Sequence, residues 1–476
     1  MINTNASAKK GLEPKWLILT AVMLSQLMAS LDSSIVNTVL PSITTSFHTG
    51  ISRAQWVPTV YLVTITCLLL LYGRLGDMVG HKRVLLYGVA GFTVTSALCG
   101  SSQTIWMLIA FRALQGLAAG MVMAVGFAIV TAAFPATERG KALGIYTISI
   151  AIAMGLGPTL GGLIAEHLSW RYIFFINVPI GIATLVWGSR VIPQGSTKPG
   201  QRLDLPGALT ALVFLPTLLL YFNIGKDWGW ASPVPLTLLA VAVVFGVLFF
   251  FIERTSKQPM LTLTLFANRV FTFASLSHLL SYIAFMALVF LTPFYMNFVL
   301  HYSIFKVGLV MATFPLVLLI VQPLCGTASD RIGTRVFAIG GMCIAALSFF
   351  FFSSLKESAT AFDVIWRLAI AALGIGMFAS PNVSTIMGSV PPSHLGITSG
   401  IQAAMRNLGM VFGVAIAGAI LHSLAPISTS TNPGSFTPAD IAEFMYGLHW
   451  AYISGAAFAA TAALTSILAI DRRPQA

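Results

Sequence analysis

Four charged side chains lie within the long apolar stretches of this 476-residue chain: Asp32, Arg112, Arg367 and Arg406. An ionisable residue at the centre of a membrane costs about 2.5–3.5 kcal/mol on the insertion scale, so such residues are usually paired or functional. Asp32 is the one acidic residue of the four. A carboxyl group in such surroundings can bind and release a proton as its environment changes, which is the chemistry of proton coupling.

Asp32 and Arg112 are expected at the same depth. Counted from the side opposite the N-terminus, they lie about eight and about seven residues into their apolar runs, or roughly 10–12 Å at the rise of an α-helix. They can therefore share a cavity, in which Asp32 accepts a proton and Arg112 adjusts the electrostatics. A permanent structural ion pair is the alternative.

The composition excludes an ordinary soluble protein. Hydrophobic side chains make up 57% of the chain and charged ones only 8%, whereas soluble domains carry about 25% charged residues. With a mean hydropathy of +0.88, the chain is predicted to be a polytopic membrane protein. The formal net charge of +12 forms no basic patch, so no nucleic-acid partner is expected. The four cysteines show neither metal-ligand spacing nor a disulfide framework, and no metal site is predicted.

Fourteen apolar runs are long enough to cross about 30 Å of hydrocarbon. The first is interpreted as a retained span, because it continues past Asp32 without a small-residue cleavage pattern. Of the 26 Lys and Arg residues, 18 fall on the side of the N-terminus, five on the other side and three within spans. This excess predicts that both termini are cytoplasmic. The expected spans are 16–40, 54–72, 84–101, 105–132, 142–165, 171–190, 205–225, 232–252, 270–298, 304–324, 336–354, 362–388, 396–422 and 445–470.

Two loops repeat one pattern at a distance of 253 residues. Each has a Gly, an Asp four residues later, a Gly three residues after that, and basic residues at the end. The repeat predicts two parallel six-helix halves with two helices inserted between them, an architecture of transporters. The predicted units are residues 1–190, 191–269 and 270–476. The residues of the pattern are Gly73, Asp77, Gly80 and Arg83 in the first loop, and Gly326, Asp330, Arg331, Gly333 and Arg335 in the second.

Other segments add to the repeated loop. Residues 108–116 read LIAFRALQG and residues 155–162 read GLGPTLGG, and three shorter segments cover residues 31–41, 170–181 and 203–207. In this order, the motifs resemble those of the major facilitator superfamily, in its fourteen-helix drug:proton antiporter branch. The resemblance covers essentially the whole chain. It implies an all-α polytopic membrane protein with the major facilitator fold, in which two six-helix bundles and two inserted helices make fourteen transmembrane helices.

The repeated loops are expected to form a cytoplasmic latch. A carboxylate at the mouth of a helix can cap a neighbouring helix N-terminus, or it can pair with Arg83, Arg139 or Arg335. Asp77 and Asp330 would then stabilise the outward-facing state and separate when the halves rock. Solvated loop charges are the alternative.

The fifth span carries the motif that the resemblance associates with antiporters. Small residues let helix backbones touch, and a proline frees a carbonyl and bends its helix. Because this helix faces the other half in the resembled fold, bending and close packing there would tune the seal. Ordinary small-residue packing is the alternative. The motif residues are Gly157, Pro158, Gly161 and Gly162.

Aromatic and polar side chains at central depth are the candidates for a substrate cavity, although helix packing or lipid contact could explain each of them. His278 is either a second titrating group or a hydrogen-bonded core histidine. Arg406 has no acidic residue in its helix, whereas several members of the resembled branch that export multivalent cations carry one there. This departure from the resemblance argues against a dicationic substrate and favours a neutral, anionic or monocationic one. The candidates are Asn37, Tyr61, Gln115, Tyr146, His278, Tyr282, Phe285, Tyr295, Asn382, Gln402 and Arg406.

The residues and the resemblance together predict a proton-coupled exporter of small amphipathic or lipophilic compounds that works by alternating access, not an enzyme. A dedicated carrier for one metabolite, vitamin or lipid is the alternative. The expected partners are protons, a small-molecule substrate and the lipid bilayer. No cofactor is expected, and no GxxxxGK[ST] loop is present for ATP hydrolysis. We expect a monomer in a prokaryotic plasma (inner) membrane.

Overall fold

The computed structural model describes residues 13–49, 51–54, 56–194, 204–229, 232–256, 263–424 and 438–469. Within these residues the chain forms α-helices and short 3-10 turns, and no strand. Fourteen helices are long and apolar enough to cross a membrane, which confirms the predicted number. In lipid only a helix or a closed barrel satisfies every backbone hydrogen bond internally, so apolar runs of this length become helices.

The long helices are numbered α1 to α14 in chain order. Short helices at Tyr172–Phe175 and Ile304–Met311 lead into α6 and α10, and Ile51–Ala54 lies between α1 and α2. Turns of 3-10 helix at Ala136–Glu138, Leu263–Ala267 and Pro392–His394 precede α5, α9 and α13. The bounds are α1 Pro14–Ser46, α2 Trp56–Val79, α3 His81–Gly100, α4 Ile105–Ala133, α5 Arg139–His167, α6 Asn177–Val191, α7 Leu205–Trp228, α8 Pro233–Thr255, α9 Arg269–Phe298, α10 Thr313–Ile332, α11 Thr334–Ser353, α12 Ala361–Gly388, α13 Leu395–Leu424 and α14 Pro438–Leu468.

The helices form two bundles and a peripheral pair. Helices α1 to α6 pack together through α1–α5, α2–α4 and α3–α4, and helices α9 to α14 through α9–α13, α9–α14, α11–α12 and α11–α14. The bundles meet where α2 packs on α13 and α5 packs on α10. Helix α7 lies against α2 and α13, and α8 packs on α7. This is the predicted architecture, whereas the residue limits of the three units stay a prediction.

Burial separates the central helices from the peripheral ones. Helix α4, which carries Arg112, is the most buried of the fourteen. Helix α8 is the least buried and exposes Val243, Val244, Val247 and Phe251. A helix that is apolar all round and exposed suits contact with lipid tails. The two inserted helices therefore lie outside the bundles, whereas Asp32 and Arg112 belong to α1 and α4 of the first bundle.

Candidate functional site

A cluster of buried polar side chains surrounds Asp32, as the shared depth of Asp32 and Arg112 predicts. Asp32 Oδ2 pairs with Nη1 of Arg112, and the two residues are 1% and 0% exposed. The other carboxylate oxygen, Oδ1, accepts hydrogen bonds from Gln115 Nε2 at 3.1 Å and from Asn177 Nδ2 at 3.0 Å. Both oxygens of the buried carboxylate are therefore satisfied, as a buried charge requires. These four residues are called the Asp32 cluster.

The guanidinium of Arg112 is held from several sides. Nη1 donates to Gln115 Oε1 at 2.6 Å, and Nε donates to the carbonyl oxygen of Val57 at 3.3 Å. Its central carbon lies 3.9 Å from the centre of the Tyr61 ring, a cation–π distance. The Nη2 atom is buried without a hydrogen-bond partner in the described part of the chain. The cation is thus fixed by neutral groups as well as by Asp32.

The cluster can respond to a single proton. With Asp32 ionised, one cation and two amide groups converge on the carboxylate. A proton on Asp32 cancels the charge that attracts Arg112 and turns one acceptor oxygen into a donor. The two amides come from α4 and α6, so the ionised carboxylate joins α1 to both helices.

A cavity of about 710 Å³ lies between the two bundles. Its wall includes residues of α1, α2, α4 and α5 on one side and of α9, α10, α12 and α13 on the other. The volume suits a drug-sized ligand, and the wall is mainly apolar. Asp32 is not part of this wall, but its neighbours Ser30, Ser33 and Ser34 are. The proton-binding candidate is therefore adjacent to the cavity and is sealed from it in this conformation.

The predicted cavity residues divide into two groups. His278, Tyr282, Phe285 and Arg406 line the cavity. The other candidates whose side chains the structure describes are not part of the wall, since sequence depth does not define which side of a helix faces the cavity. Asn37 lies in α1, but its side chain is outside the described residues. Tyr61 and Gln115 lie at the Asp32 cluster, and Gln402 is buried outside the wall. The remaining three form hydrogen bonds elsewhere: Tyr146 donates to Gln26 Oε1 at 2.9 Å, Tyr295 to the Lys356 carbonyl at 2.7 Å and Asn382 to the Ala274 carbonyl at 3.1 Å.

Asp77 joins the two bundles at one end of the cavity. It is 6% exposed at the end of α2 and accepts backbone N–H hydrogen bonds from Gly396 at 2.8 Å and Ile397 at 2.9 Å. These N–H groups belong to the first turn of α13, so the carboxylate also meets the positive end of a helix dipole. His81 Nε2 lies 3.2 Å from Asp77 Oδ1.

Asp330 repeats this arrangement with the bundles exchanged. From the end of α10 it accepts backbone N–H hydrogen bonds from Gly140 at 2.8 Å and Lys141 at 3.0 Å, in the first turn of α5. The expected partner of each aspartate is either a helix N-terminus or an arginine, and in the structure it is a helix N-terminus. In the described residues no arginine pairs with either aspartate. Of the three arginines expected, Arg83 and Arg335 are exposed, and Arg139 Nε donates to the carbonyl oxygen of Phe134 at 3.3 Å. The two capping contacts are together called the latch.

The turn after each latch helix has a backbone conformation that requires glycine. Gly80 has φ 99° and ψ 131°, and Gly333 has φ 102° and ψ 149°. Side chains other than hydrogen clash in this region, and residues held there cost about 1–3 kcal/mol. The second Gly of the repeated pattern is therefore explained by backbone geometry alone.

Gly333→Ala is expected to destabilise the protein by about 1–3 kcal/mol. A Cβ atom at this exposed position meets nothing within 4 Å, so the effect comes only from the positive φ. Unfolding in detergent, followed by intrinsic fluorescence, measures it. Gly388→Ala is the matched control, because its Cβ also has free space and its φ is negative. Equal stability losses in the two variants would contradict the prediction.

In the fifth-helix motif, close packing involves only some of the glycines. A Cβ atom on Gly157 would collide with the side chain of Ser34 in α1. Gly161 is buried, whereas a Cβ on Gly162 would meet nothing within 4 Å. Pro158 lies in α5 with its side chain outside the described residues. The packing explanation thus applies to Gly157 and does not explain Gly162.

Sequence reasoning missed two parts of the site. Asn177 belongs to the motif segment 170–181, but nothing in the sequence identifies it as a partner of Asp32. The donors of the latch, Gly140 and Gly396, use their backbone N–H groups, so no side-chain type identifies them. The sequence signal for these donors is a helix N-terminus that follows a short polar loop. It predicts that a helix N-terminus is the partner, but it does not identify the donating residue.

Comparison with known proteins identifies relatives over most of the chain. The sequence profile described as Major Facilitator Superfamily matches residues 22–414 and 274–476. The riboflavin transporter RibZ of Clostridioides difficile is 34% identical over 405 residues, which cover 85% of this chain and 88% of the relative. The multidrug resistance protein Stp of Mycobacterium tuberculosis is 34% identical over 408 residues, covering 85% and 75%. The multidrug transporter protein MdtP of Bacillus subtilis is 30% identical over 419 residues, covering 87% and 77%.

Solved structures share the fold. The human organic anion transporter MFSD10 (TETRAN) superimposes with a TM-score of 0.67 at 15% identity and covers 96% of this chain and 100% of its own. The proton:xylose symporter XylE superimposes with a TM-score of 0.64 at 15% identity, covering 94% of each chain. At this identity the likeness concerns the arrangement of the helices alone.

Proposed function

Because this chain belongs to the major facilitator superfamily, we propose that it is a proton-coupled exporter of small amphipathic or lipophilic compounds. It is an integral, multi-pass membrane transporter, and its family and fold are those of transporters rather than enzymes. Export, proton coupling and the cytoplasmic position of both termini are the parts that we propose. The observation that carries the proposal is the buried Asp32–Arg112 pair beside a cavity between two bundles.

The latch supports alternating access. Asp77 and Asp330 each accept two backbone N–H hydrogen bonds from the opposite bundle, and these four hydrogen bonds lie at one end of the cavity. The excess of Lys and Arg on the side of the N-terminus supports a cytoplasmic position for this end. The structure is then closed on the cytoplasmic side, and rocking of the bundles breaks both caps together. Substrate enters from the cytoplasm after the caps have opened.

Asp32 supplies the coupling in this cycle. A proton from outside neutralises Asp32, weakens its contact with Arg112 and favours the return of the empty carrier. The proton leaves on the cytoplasmic side and restores the ion pair. One proton that moves through about 100 mV and one pH unit releases about 3.7 kcal/mol, enough for a gradient of a few hundred-fold in a neutral substrate.

A dedicated carrier for one metabolite, vitamin or lipid is the second candidate. It is favoured by the 34% identity to a protein named as a riboflavin transporter, whereas Stp and MdtP are named for multidrug resistance or transport. The mainly apolar cavity of about 710 Å³ suits an exporter of several amphipathic compounds. Competition separates the two candidates, because chemically unrelated compounds compete only in the exporter.

Transport in proteoliposomes tests the proposal. The purified protein is reconstituted, a pH gradient is imposed, and the movement of neutral, anionic and cationic fluorescent amphiphiles is followed together with internal pH. We expect accumulation that depends on the pH gradient, with proton movement in the opposite direction. Transport that only equalises substrate concentrations, and is insensitive to the pH gradient, would contradict proton coupling.

A further inference from the structure

We propose that the cavity binds substrates through a negatively charged group, with Arg406 as its binding partner. This inference rests on the transport function proposed above and concerns the chemical class of the substrate. The expected ligand is a flat aromatic compound that carries one carboxylate, sulfonate or similar anionic group.

Arg406 is a buried cation without a counter-charge. It lies in α13, is 4% exposed and lines the cavity. In the described part of the chain its hydrogen bond is from Nη2 to Met123 Sδ at 3.6 Å, and no carboxylate lies within ion-pair distance of it. Thioether sulfur is a weak acceptor, so the guanidinium keeps most of its donors for another group.

The other two arginines within the spans show what Arg406 lacks. Arg112 pairs with Asp32, and Nη1 of Arg367 lies 3.6 Å from Asp363 Oδ1. Among the described residues of the cavity wall there is no Asp or Glu, and Arg406 is the one Arg or Lys. An isolated buried charge is unfavourable, and the wall offers no residue that could neutralise it. An anionic ligand in the cavity would supply the missing charge.

Unpaired polar groups beside Arg406 extend this binding surface. His278 lines the same cavity, is 2% exposed and has no hydrogen-bond partner for either ring nitrogen in the described residues. His278 and Tyr282 lie in α9, which packs against α13, the helix of Arg406, and both line the same cavity as Arg406. A neutral imidazole N–H can donate to the same anionic group as the guanidinium. Arg406 and His278, which line one cavity from these two packed helices, are together called the donor pair.

The aromatic wall next to this pair explains the flat body of the ligand. The His278 and Tyr282 ring centres are 5.0 Å apart, those of Tyr282 and Phe285 are 6.1 Å apart, and those of Phe285 and Phe314 are 5.1 Å apart. This row starts at the donor pair and continues into the apolar part of the cavity. A planar ring system packs on such a row while its charged end stays at Arg406.

Three probes of one shape and different charge test the proposal: 2-anthracenecarboxylate, 2-anthracenecarboxamide and 2-(aminomethyl)anthracene. Their affinities are measured at pH 7.5 by fluorescence, with the full-length protein in nanodiscs and empty nanodiscs as the blank. We expect the carboxylate to bind at least about tenfold more tightly than the amide, and the amine to bind most weakly. Arg406→Gln should reduce carboxylate affinity about tenfold, leave amide affinity unchanged and remove the preference. Arg406→Lys should restore part of the preference, because it restores the charge.

Other outcomes overturn the proposal. Absence of saturable binding of the carboxylate, equal affinities of the three probes, or an equal loss for all three in Arg406→Gln would each do so. The last result is the one expected of a structural role, and unfolding of the variant in detergent shows whether its fold is retained. Transport of the carboxylate under a pH gradient separates this inference from the function it rests on. If the unmodified protein binds the carboxylate with the expected preference but does not transport it, proton-coupled export fails while the role of Arg406 in binding stands.

Discussion

Asp32→Asn is expected to abolish pH-driven transport while the protein stays folded. Asparagine keeps the shape of aspartate, and its amide oxygen can still accept the hydrogen bonds from Gln115 and Asn177, but it cannot exchange a proton. Accumulation against a gradient should fall to the level of empty liposomes, whereas counterflow of labelled substrate along its own gradient should persist. Transport assays with and without an imposed pH gradient measure the two activities separately.

The stability of this variant distinguishes proton coupling from a permanent ion pair. Removing one partner of a buried ion pair commonly costs about 3–5 kcal/mol, because the other charge remains buried alone. A carrier that protonates Asp32 in every cycle must tolerate the neutral form of the pair in its native fold. We therefore expect Asp32→Asn to lose well under 3 kcal/mol in detergent.

Asp363→Asn is the matched control for Asp32→Asn. Asp363 also pairs with an arginine, Arg367 at 3.6 Å, but it is 39% exposed at the start of α12. Asparagine can take over its capping hydrogen bond to the N-terminal turn. This variant should keep pH-driven transport. Wild-type accumulation by Asp32→Asn, or equal losses in both variants, would contradict the role of Asp32 in coupling.

The number of spans could be predicted because bilayer thickness sets the length of an apolar run. The ends of the helices could not, since a helix continues into polar sequence once it leaves the hydrocarbon. The first span was expected to end at 40, but α1 continues to Ser46, and the last was expected to begin at 445, but α14 begins at Pro438. Hydropathy records where lipid ends, whereas backbone hydrogen bonds decide where a helix ends.

The site could be predicted to the extent that depth determines it. Counting residues from the span ends placed Asp32 and Arg112 at one level, and the structure pairs them. Rotation about the helix axis is set by packing, which a single sequence does not show. For this reason Tyr61 was expected in the cavity and lies instead under Arg112, with 3.9 Å between the guanidinium carbon and the ring centre. The partner Asn177 comes from α6, and only the packing of α6 on α1 shows that it reaches Asp32.

Substrate charge and proton coupling are connected through the membrane potential. Each elementary charge that crosses 100 mV changes the free energy by about 2.3 kcal/mol. Exchange of one proton for one exported anion moves two charges in the favourable direction and releases about 6 kcal/mol when one pH unit is added. Exchange of one proton for a dication is opposed by about 1 kcal/mol under the same conditions. Asp32 is the one acidic residue expected within the hydrocarbon. A cavity that carries Arg406 therefore suits anionic or neutral substrates, whose export the entry of one proton favours.

Gly73→Ala is expected to keep the latch end from closing, and so to reduce transport about tenfold or more. A Cβ atom on Gly73 would lie 2.6 Å from the carbonyl oxygen of Gly396 and 3.2 Å from the Cα of Gly400. Both contacts are with the backbone of α13, which cannot move aside as a flexible side chain can. Since α2 and α13 belong to different bundles, the added methyl group forces the bundles apart where Asp77 caps α13. A shift of about 1–3 kcal/mol against the closed state follows from this overpacking.

Distances across the latch end test this effect directly. Arg83 and Arg335 are exposed and belong to different bundles, so Arg83→Cys and Arg335→Cys can carry spin labels after Cys325 and Cys343 are replaced by serine. Double electron–electron resonance should show a larger share of long distances in Gly73→Ala than in the parent. Gly162→Ala is the matched control, since a Cβ there meets nothing within 4 Å. Unchanged distances and transport in Gly73→Ala would show that the contact of α2 with α13 does not control closure. A change of distances without loss of transport would show that closure at this end does not limit the cycle.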